Sequence, residues 1–302
     1  MDNYLKKKVG IQGGSGSFHE IAAIFQFGIE KISTVPFDNF SDLVDAVESQ
    51  EVDSGLMAIE NTVAGSLMPN YSLLKGREIH VTGEILLRIE QNLLAPHGTP
   101  IEQIKEVHSH PMALMQCHNF FKRHPHIKLI ESDDTANSAR KIQEQQLEGI
   151  GAIASQRAAG LFNLNVLQPG IETNKRNFTR FLVLNSKKSI AEIDSARRHA
   201  NKASISFSLL HKTGSLSKVL SIFSFYNINL SKIQSIPIIG QEWEYHFLVD
   251  FVYDDFEIYQ QALVAIQPLI DELQVMGEYQ KAEKYFMSNE ITSDLIVEGA
   301  VL

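Results

Sequence analysis

The stretch NFTRFLVL, residues 177–184, changes character half-way along its length. Its second half, from Phe181 to Leu184, is wholly apolar, which is typical of a strand buried on both faces. Its first half carries an amide, a hydroxyl and a guanidinium on Asn177, Thr179 and Arg180, all of which donate hydrogen bonds to anions. We therefore predict a buried strand with a polar site at its start.

Short apolar strands alternate with helical periodicity before this stretch. Strands are predicted at VGIQ, VDSGLMAI, IKEVHSH, IKLIES and IGAIA, and helices begin near Phe18, Pro111 and Thr135. This alternation predicts a layered α/β domain with largely parallel pairing. The strand-to-helix turns GGSGS, ENT, SHP and DDTA place several helix N-termini near one edge, where they favour anions. A single turn of this kind is more often an ordinary cap, a role that suits Asp134 and Ser155.

The bulk properties exclude several classes of function. The chain has 302 residues, enough for two domains, and a formal net charge of -9. This acidic balance argues against nucleic acid as a partner, because phosphate binding requires clustered Lys and Arg. No apolar run is long enough to span a bilayer, so no membrane role is expected. A single cysteine and an N-terminus without an apolar signal core lead us to expect a cytoplasmic protein.

A second domain is predicted after a polar linker at 186–202. Residues 203–280 show the order strand, helix, strand, strand, helix, strand, which is the βαββαβ order of a ferredoxin-like fold. The tail at 281–302 is compatible with a helix or a frayed end. The first helix of this domain has an apolar stripe formed by Leu216, Val219, Leu220, Ile222 and Phe223.

Five motifs in register resemble those of the prephenate dehydratase family. They are GGSGSFHEIAA, AIENTVAGSL, SHPMALMQC, DTANSA followed by GAIAS, and NFTRF. The chain departs from the family pattern at Gly14, where Pro is usual, and at His19, where a hydroxyl is usual. It also departs at Ala58, Thr62 and Met112. With the second domain, the resemblance covers nearly the whole chain.

The resemblance implies an α/β fold with two domains. The catalytic domain, 1–185, would be two-lobed and similar to type II periplasmic binding proteins. One lobe would contain about 6–80 plus 168–184, and the other about 81–167. The second domain would be a ferredoxin-like ACT regulatory domain.

The implied activity is the conversion of prephenate to phenylpyruvate in phenylalanine biosynthesis, without a cofactor. Prephenate has two carboxylates and a ring hydroxyl, and it loses carbon dioxide and the hydroxyl together, so orientation and hydrogen-bond donors are required. The resemblance assigns to Thr179 the protonation or hydrogen bonding of the departing hydroxyl. The substrate-binding positions it implies are Asn61, Thr62, Ser109, Gln116, Thr135 and Arg180.

Several of these residues have structural alternatives. Arg180 suits a substrate carboxylate and, equally, an ion pair that holds the two lobes together. Ser109 and Thr135 also suit helix caps. Glu60, if buried, would be an acid with a raised pKa, although a hydrogen-bonded structural carboxylate is the commoner case.

A metal site is not predicted. Histidines 108, 110, 118, 124 and 126 lie near Cys117, but no C-x-x-C or H-E-x-x-H spacing accompanies them. Cys117 follows Gln116 in an apolar stretch and is predicted to be a buried thiol.

The second domain would sense an amino acid. ACT domains of these dehydratases bind phenylalanine and pair at a subunit interface, so the resemblance implies L-phenylalanine as effector and a homodimer or homotetramer. Phenylalanine would bias cleft closure through its different affinities for two states. The family's Ala, Glu and Arg are replaced by Ser215, Gln234 and Ile236. The sequence therefore does not decide whether phenylalanine still inhibits the protein. The implied effector-binding positions are Gly214, Leu216, Asn229, Gln234, Ser235, Ile236 and Pro237.

Two other functions fit the same features. One is arogenate dehydratase, which performs the same elimination on the amino analogue of prephenate. The other is a solute-binding or amino-acid-sensing protein that has kept the cleft and lost catalysis. The intact NFTRF motif favours an enzyme.

Overall fold

The computed structural model describes residues 6–209, 212–238 and 245–290, which form two compact units. The first unit contains 6–71, 85–181 and 284–290. The second unit contains the other described residues, from 72–84 and from 182–283. No helix in the described ranges is long and apolar enough to cross a membrane.

A parallel sheet forms the N-terminal part of the first unit. Strand β1 pairs in parallel with both β2 and β3, and the short β4 pairs antiparallel with β3. Helices connect the strands, as the alternating pattern predicted. In chain order the elements are β1 (Lys7–Gln12), α1 (Phe18–Phe27), β2 (Ile32–Phe37), α2 (Phe40–Glu48), β3 (Ser54–Asn61), β4 (Gly65–Ser66), α3 (Met68–Leu74) and β5 (Ile79–Arg88).

A second sheet of five strands also lies within the first unit, with the order β10-β6-β9-β7-β8. Parallel pairs join β7 to β8 and β9, whereas β6 pairs antiparallel with β9 and β10. The two sheets correspond to the two lobes that the family resemblance implied. The elements are β6 (Asn92–Ala95), β7 (Glu106–Ser109), α4 (Pro111–Gln116), α5 (His118–Phe121), β8 (Lys128–Glu131), α6 (Thr135–Glu144), β9 (Ile150–Ala154), α7 (Gln156–Leu161) and β10 (Asn165–Gln168).

Strand β11 (Phe178–Ser186) contains the stretch that changes character. Its start lies beside the end of β3, because the Thr62 N–H donates to the Phe178 carbonyl oxygen. From Phe181 to Leu184 the side chains are at most 3% exposed, so the buried strand is confirmed. The boundary between the two units passes through this strand.

The second unit has the predicted βαββαβ order. Its four-stranded sheet has the antiparallel order β13-β14-β12-β15, which is the ferredoxin-like arrangement. The predicted apolar stripe is confirmed, since Val219 and Phe223 are fully buried and the other three residues pack around them. The elements are α8 (Ile190–Arg198), β12 (Lys202–Ser208), α9 (Ser215–Phe225), β13 (Asn229–Pro237), β14 (Tyr245–Val252), α10 (Phe256–Ile266) and β15 (Asp271–Tyr279).

The segment 186–202, expected to be a linker, contains helix α8. Ile193 is buried, and the Arg197 Nε contacts the Glu278 Oε2 at 2.6 Å. Lys202 is also buried, with its Nζ 2.7 Å from the Glu84 Oε2. These contacts stabilise helix α8 and the first residue of strand β12, neither of which the polar sequence of this segment indicated.

Two further features differ from expectation: the residue at which the chain passes from the first lobe to the second, and the structure of the tail. The second lobe was expected from residue 81, but the second sheet takes its first strand from Asn92, after β5 has ended. The tail contains a strand, β16 (Tyr285–Met287), which pairs in parallel with the end of β5, Tyr285 opposite Leu86. The rest of the tail, beyond residue 290, lies outside the described residues.

Candidate active site

A cavity of about 370 Å³ in the first unit is lined by strand residues of the first sheet, and by turn and helix residues that follow strands of both sheets. It brings together four of the seven predicted catalytic and substrate-binding residues, which are Asn61, Gln116, Thr135 and Thr179. Phe18, Phe40 and Phe181 give it an apolar wall suited to a ring.

The hydroxyl of Thr179 is oriented by Asn61. The Asn61 Oδ1 accepts hydrogen bonds from the backbone N–H groups of Val63 and Ala64, both at 2.9 Å. These two donors fix the amide, because only its oxygen can accept. The Asn61 Nδ2 then donates to the Thr179 Oγ1 at 3.0 Å. Since this oxygen accepts from Asn61, its own proton remains available to donate into the cavity.

The same amide begins a chain of hydrogen bonds along the cavity wall. The Asn61 Nδ2 also donates to the Asn177 Oδ1 at 2.7 Å, and the Asn177 Nδ2 donates to the Gln116 Oε1 at 2.9 Å. The Gln91 Nε2 reaches the same Gln116 oxygen at 3.5 Å. Asn61, Gln116, Asn177 and Gln91 are all at most 8% exposed, so the network is buried and mutually constrained.

Two ten-residue helices begin at the cavity. Ser17 caps α1 by accepting from the Glu20 N–H, and Asp134 caps α6 by accepting from the Asn137 N–H. Thr135 is the first residue of α6 and lines the cavity. The small polar turns predicted several helix N-termini near one edge, and these two do begin at one cavity. Free N–H groups and the helix dipole make such positions favourable for anions.

Close contacts join the two lobes beside these helix starts. The Ser155 Oγ donates to the Gly16 carbonyl oxygen at 2.6 Å, and the Arg157 Nε lies 2.6 Å from the Glu20 Oε2. Gly16 has a φ of +85°, and a side chain there would collide with the Ala158 backbone. The glycine in this turn is therefore required for close approach.

The charge of the cavity wall is acidic. Asp133 and Asp134 line it, and no Lys or Arg does so among the residues for which the structure gives a position. Burial raises the pKa of Asp134, while hydrogen bonds from the Asn137 and Ala136 N–H groups lower it by less. The cavity thus offers helix N-termini and neutral donors, rather than basic side chains, to an anion.

His19, where the family usually has a hydroxyl, packs between two rings of the wall. Its ring centroid lies 5.4 Å from that of Phe40 and 5.0 Å from that of Phe181. Burial lowers the pKa of His19 from 6.5 to about 3, so the imidazole is neutral at pH 7. Its Nε2 is buried without a hydrogen-bond partner among the described groups.

Three predicted substrate-binding residues do not line the cavity. The Arg180 Nη1 lies 3.7 Å from the Glu60 Oε2, on the strand faces opposite to Thr179 and Asn61. Thr62 accepts from the Phe178 N–H at 2.9 Å and donates to the Arg176 carbonyl oxygen. The fully buried Ser109 donates to the Ile153 carbonyl oxygen at 2.7 Å. The Glu60 side chain is 39% exposed, so the burial that the acid role required is missing.

The histidines near Cys117 have other roles. His108 contacts Glu106 at 3.2 Å, His110 caps α4 by accepting from the Met112 N–H, and the His124 ring packs at a tilt against Phe120, with centroids 4.7 Å apart. In the described part of the chain, no three His, Cys, Asp or Glu side chains are grouped to hold a metal ion. Cys117 is fully buried, as predicted, and burial raises the pKa of its thiol.

The predicted effector positions lie in the second unit. Gly214 is the N-cap of α9 with a φ of +78°, a conformation that favours glycine, and Leu216 follows in the helix. The other five positions belong to strand β13, whose residues alternate between exposed and half-buried. The turn expected from the sequence at 239–242 falls within residues 239–244, which lie outside the described residues.

The network includes two residues that were not among the predicted catalytic and substrate-binding residues: Gln91, which lines the cavity, and Asn177, predicted only as a donor at the polar start of the strand. Asn177 opens the NFTRF motif, and its side chain joins the network rather than an anion. Gln91 lies between β5 and β6 in a stretch without a motif. Its backbone N–H donates to the Glu172 Oε2 at 3.0 Å, and the Glu172 Oε1 is paired with the Arg88 Nη2 at 2.7 Å.

The described residues thus form a two-lobed α/β unit with a cavity lined by hydroxyls, amides and phenyl rings, together with a ferredoxin-like unit. The family model described as prephenate dehydratase matches residues 9–189. The chain therefore belongs to the prephenate dehydratase family, whose members are lyases, and this sequence prediction is confirmed.

Relatives and a solved structure agree with this assignment. Arogenate dehydratase 2 of Petunia hybrida is 40% identical over 233 residues, 76% of this chain and 57% of that protein, so the match spans little more than half of it. The bifunctional chorismate mutase/prephenate dehydratase of Aquifex aeolicus is 33% identical, over 92% of this chain and 74% of that protein. Prephenate dehydratase from Arthrobacter aurescens in complex with L-Phe has a TM-score of 0.80 and 26% identity, covering 92% of this chain and 91% of that one.

Proposed function

We propose that this protein catalyses the decarboxylative dehydration of prephenate to phenylpyruvate. In this reaction the bond between the ring and its carboxyl carbon breaks, and its electron pair enters the ring. The ring C–O bond breaks, and the hydroxyl takes a proton and leaves as water. No electrons are gained or lost overall, so the chemistry requires donors and orientation rather than a redox cofactor.

The observation that carries this proposal is the hydrogen bond from the Asn61 Nδ2 to the Thr179 Oγ1. It directs the Thr179 proton into the cavity, where it can donate to the departing hydroxyl. A threonine is a weak acid, so we infer a hydrogen bond that strengthens as charge develops on the leaving oxygen. Thr179 is therefore the proposed catalytic residue.

The substrate would be held by the walls around Thr179. Thr135 and the N-termini of α1 and α6 suit the two carboxylates, and the phenyl side chains suit the ring. Gln116 presents its amide nitrogen, since its oxygen accepts from Asn177. For Arg180, Thr62 and Ser109 we propose support of the strands that carry the site, because their contacts are with protein groups.

We also propose regulation by L-phenylalanine through the second unit, as an ACT domain spanning about 203–280. Its ferredoxin-like order and the L-Phe complex of the Arthrobacter relative support this.

We propose that these domains pair in a homodimer or homotetramer. Two features of the second unit support pairing: the Phe225 side chain is 82% exposed, and strand β13 forms a sheet edge that pairs with no further strand among the described ones. A cytoplasmic location fits an enzyme for a charged metabolite. The proposed effector contacts are Gly214, Leu216, Asn229, Gln234, Ser235, Ile236 and Pro237.

The test is to incubate the full chain with prephenate and follow phenylpyruvate absorbance, with and without L-phenylalanine. We expect enzyme-dependent phenylpyruvate, and inhibition that rises with L-phenylalanine. Absence of product above the spontaneous rate would refute the catalytic proposal. A flat response, with no L-phenylalanine binding by calorimetry, would refute the regulatory one alone.

A further inference from the structure

The imidazole of His19 is a polar group of the cavity wall without a protein partner. The residue lines the cavity, and no described group forms a hydrogen bond with either of its ring nitrogens. Its Nε2 is fully buried and its Nδ1 is not, so Nδ1 is the nitrogen that remains accessible. A ligand that fills the cavity displaces water from this nitrogen, and it must replace the hydrogen bond that is lost.

The imidazole ring has a fixed position. It packs between Phe40 and Phe181, with ring centroids 5.4 Å and 5.0 Å away. His19 is the second residue of α1, whose first turn is fixed by the Ser17 cap. A polar group held in this way loses little conformational freedom when it binds a ligand, which favours a role in binding.

The ring is a neutral hydrogen-bond donor. Burial lowers the pKa of His19 to about 3, so at pH 7 the imidazole carries a single N–H. Orphaned N–H groups are rarer in protein interiors than acceptors that lack a partner, which assigns the proton to the accessible Nδ1 and the lone pair to Nε2. The described cavity lining includes no Lys or Arg, so a carboxylate bound there depends on neutral donors.

The distance along β11 from Thr179 is comparable with the length of the substrate ring. Phe181 follows Thr179 by two positions and lines the same cavity, roughly 7 Å further along the strand. In prephenate the departing hydroxyl and the two carboxylates are at opposite ends of the ring. With Thr179 at the hydroxyl, the imidazole beside Phe181 would be at the end that carries the carboxylates.

We propose that His19 is a substrate-binding residue whose Nδ1–H donates to the carboxylate of the substrate's keto-acid side chain. The inference rests on the proposed function, since it names a contact of the same substrate in the same cavity. The imidazole takes the place of the hydroxyl that is usual at this position in the family. The ring carboxylate does not suit this contact, because a hydrogen bond to it would stabilise the charge that is lost with carbon dioxide and would slow the reaction.

The test measures KM and kcat for prephenate, and the inhibition constant of phenylpyruvate, in the full chain and in variants. Phenylpyruvate has the keto-acid carboxylate but not the ring carboxylate, so its inhibition constant reports on this contact alone. His19→Phe keeps a ring without a donor. It should raise KM and the inhibition constant about tenfold or more, with kcat within about threefold of the wild type.

Two smaller variants separate the donor from the packing. His19→Asn places an amide nitrogen close to the position of Nδ1 and should bring both constants back towards the wild-type values. His19→Leu has nearly the same size without a donor and should not. His97→Phe, in an exposed turn, is the matched control and should keep wild-type values.

An unchanged KM and inhibition constant in His19→Phe would overturn the inference. A loss of kcat alone, or an asparagine variant no better than the leucine variant, would overturn it as well, because either result indicates a packing role. A raised KM with an unchanged inhibition constant would contradict the assignment to the keto-acid carboxylate.

Failure of the proposed function is a distinct result. A wild type that forms no phenylpyruvate would refute that function, and phenylpyruvate binding measured by calorimetry would still test the His19 contact. If circular dichroism shows His19→Phe to be unfolded, the comparison of His19→Asn with His19→Leu decides, and equal affinities contradict the inference.

Discussion

The Nδ2 of Asn61 donates to the Oγ1 of Thr179 over 3.0 Å, although 118 positions separate the two residues in the chain. The donor cannot reverse its role, because the Asn61 oxygen is held by two backbone N–H groups. The orientation of the Thr179 hydroxyl, the proposed catalytic group, is thus set by the turn that follows β3. In the proposed mechanism this orientation, more than the acidity of threonine, assists the leaving group.

Asn61→Asp should lower kcat by about a hundredfold with little change in KM. A carboxylate has the same shape but accepts only, so the Thr179 proton would turn towards it and away from the substrate. Steady-state kinetics on prephenate measure the effect. Asn119→Asp, at an exposed position of α5, is the matched control and should keep wild-type values. A kcat for Asn61→Asp equal to that of the wild type would contradict the orienting role.

Arg180→Gln and Glu60→Gln should both leave KM for prephenate within about threefold of the wild type, because the pair lies outside the cavity lining. Both remove the same ion pair, so the double variant should be no less stable in urea than the worse single variant. The pair's net contribution is small, since Glu60 is partly exposed. A KM raised more than about tenfold in Arg180→Gln alone would instead assign Arg180 to a substrate carboxylate.

The pKa of His19 predicts a pH dependence of stability. Burial lowers it from 6.5 to about 3, and the pKa of His80 is similarly lowered to about 4. Below pH 6.5 the unfolded chain binds protons on these imidazoles and the folded chain does not, so the free energy of unfolding decreases as pH falls from 6.5 towards these values. Each imidazole contributes a slope of at most about 1.4 kcal/mol per pH unit.

His19→Phe keeps an aromatic ring between Phe40 and Phe181 and removes the titrating group. Urea unfolding between pH 7 and pH 4 should therefore show a shallower pH slope than in the wild type, with the His80 contribution retained. The slope is the readout, because the substitution also changes the stability at neutral pH. Identical slopes in both proteins would show that the His19 pKa is not lowered in the folded state.

The thiol of Cys117 should be inert in the folded protein. It is fully buried, and burial raises its pKa, so the reactive thiolate is suppressed. A disulfide reagent such as DTNB at pH 8 should react at least about a hundredfold more slowly with the native chain than with the chain in urea. Rapid native reaction would place Cys117 at an accessible surface and argue against the packing of α4 and α5.

The sequence predicted those parts of the fold that depend on local periodicity. The alternating pattern indicated the α/β unit, and the strand and helix spacing indicated the ferredoxin-like order. Helix α8 and strand β16 were not predicted, because tertiary partners stabilise them: Glu278 for Arg197 of the helix, and residues 86–88 for the strand. Local composition carries no signal for such partners.

The residues of the candidate site also fall into those that local sequence motifs predicted and those that only tertiary contacts reveal. Thr179, Asn61, Gln116 and Thr135 were predictable since each belongs to a contiguous motif, and the structure brings them to one cavity. Arg180 stands in the same motif as Thr179, but successive strand residues point to opposite faces, and the pairing with Glu60 appears only in the structure. The role of Gln91 depends on partners 25 and 81 positions away, which no local pattern records.

The central claim is that a hydroxyl at position 179, aimed into the cavity, assists the departure of the substrate's OH. The direct measurement is kcat for phenylpyruvate formation from prephenate in the wild type, Thr179→Val and Thr179→Ser. We predict a loss of about 10² to 10⁴ in kcat for the valine variant, which has the same shape without a donor, and substantial activity for the serine variant. A valine variant as active as the wild type would contradict the account.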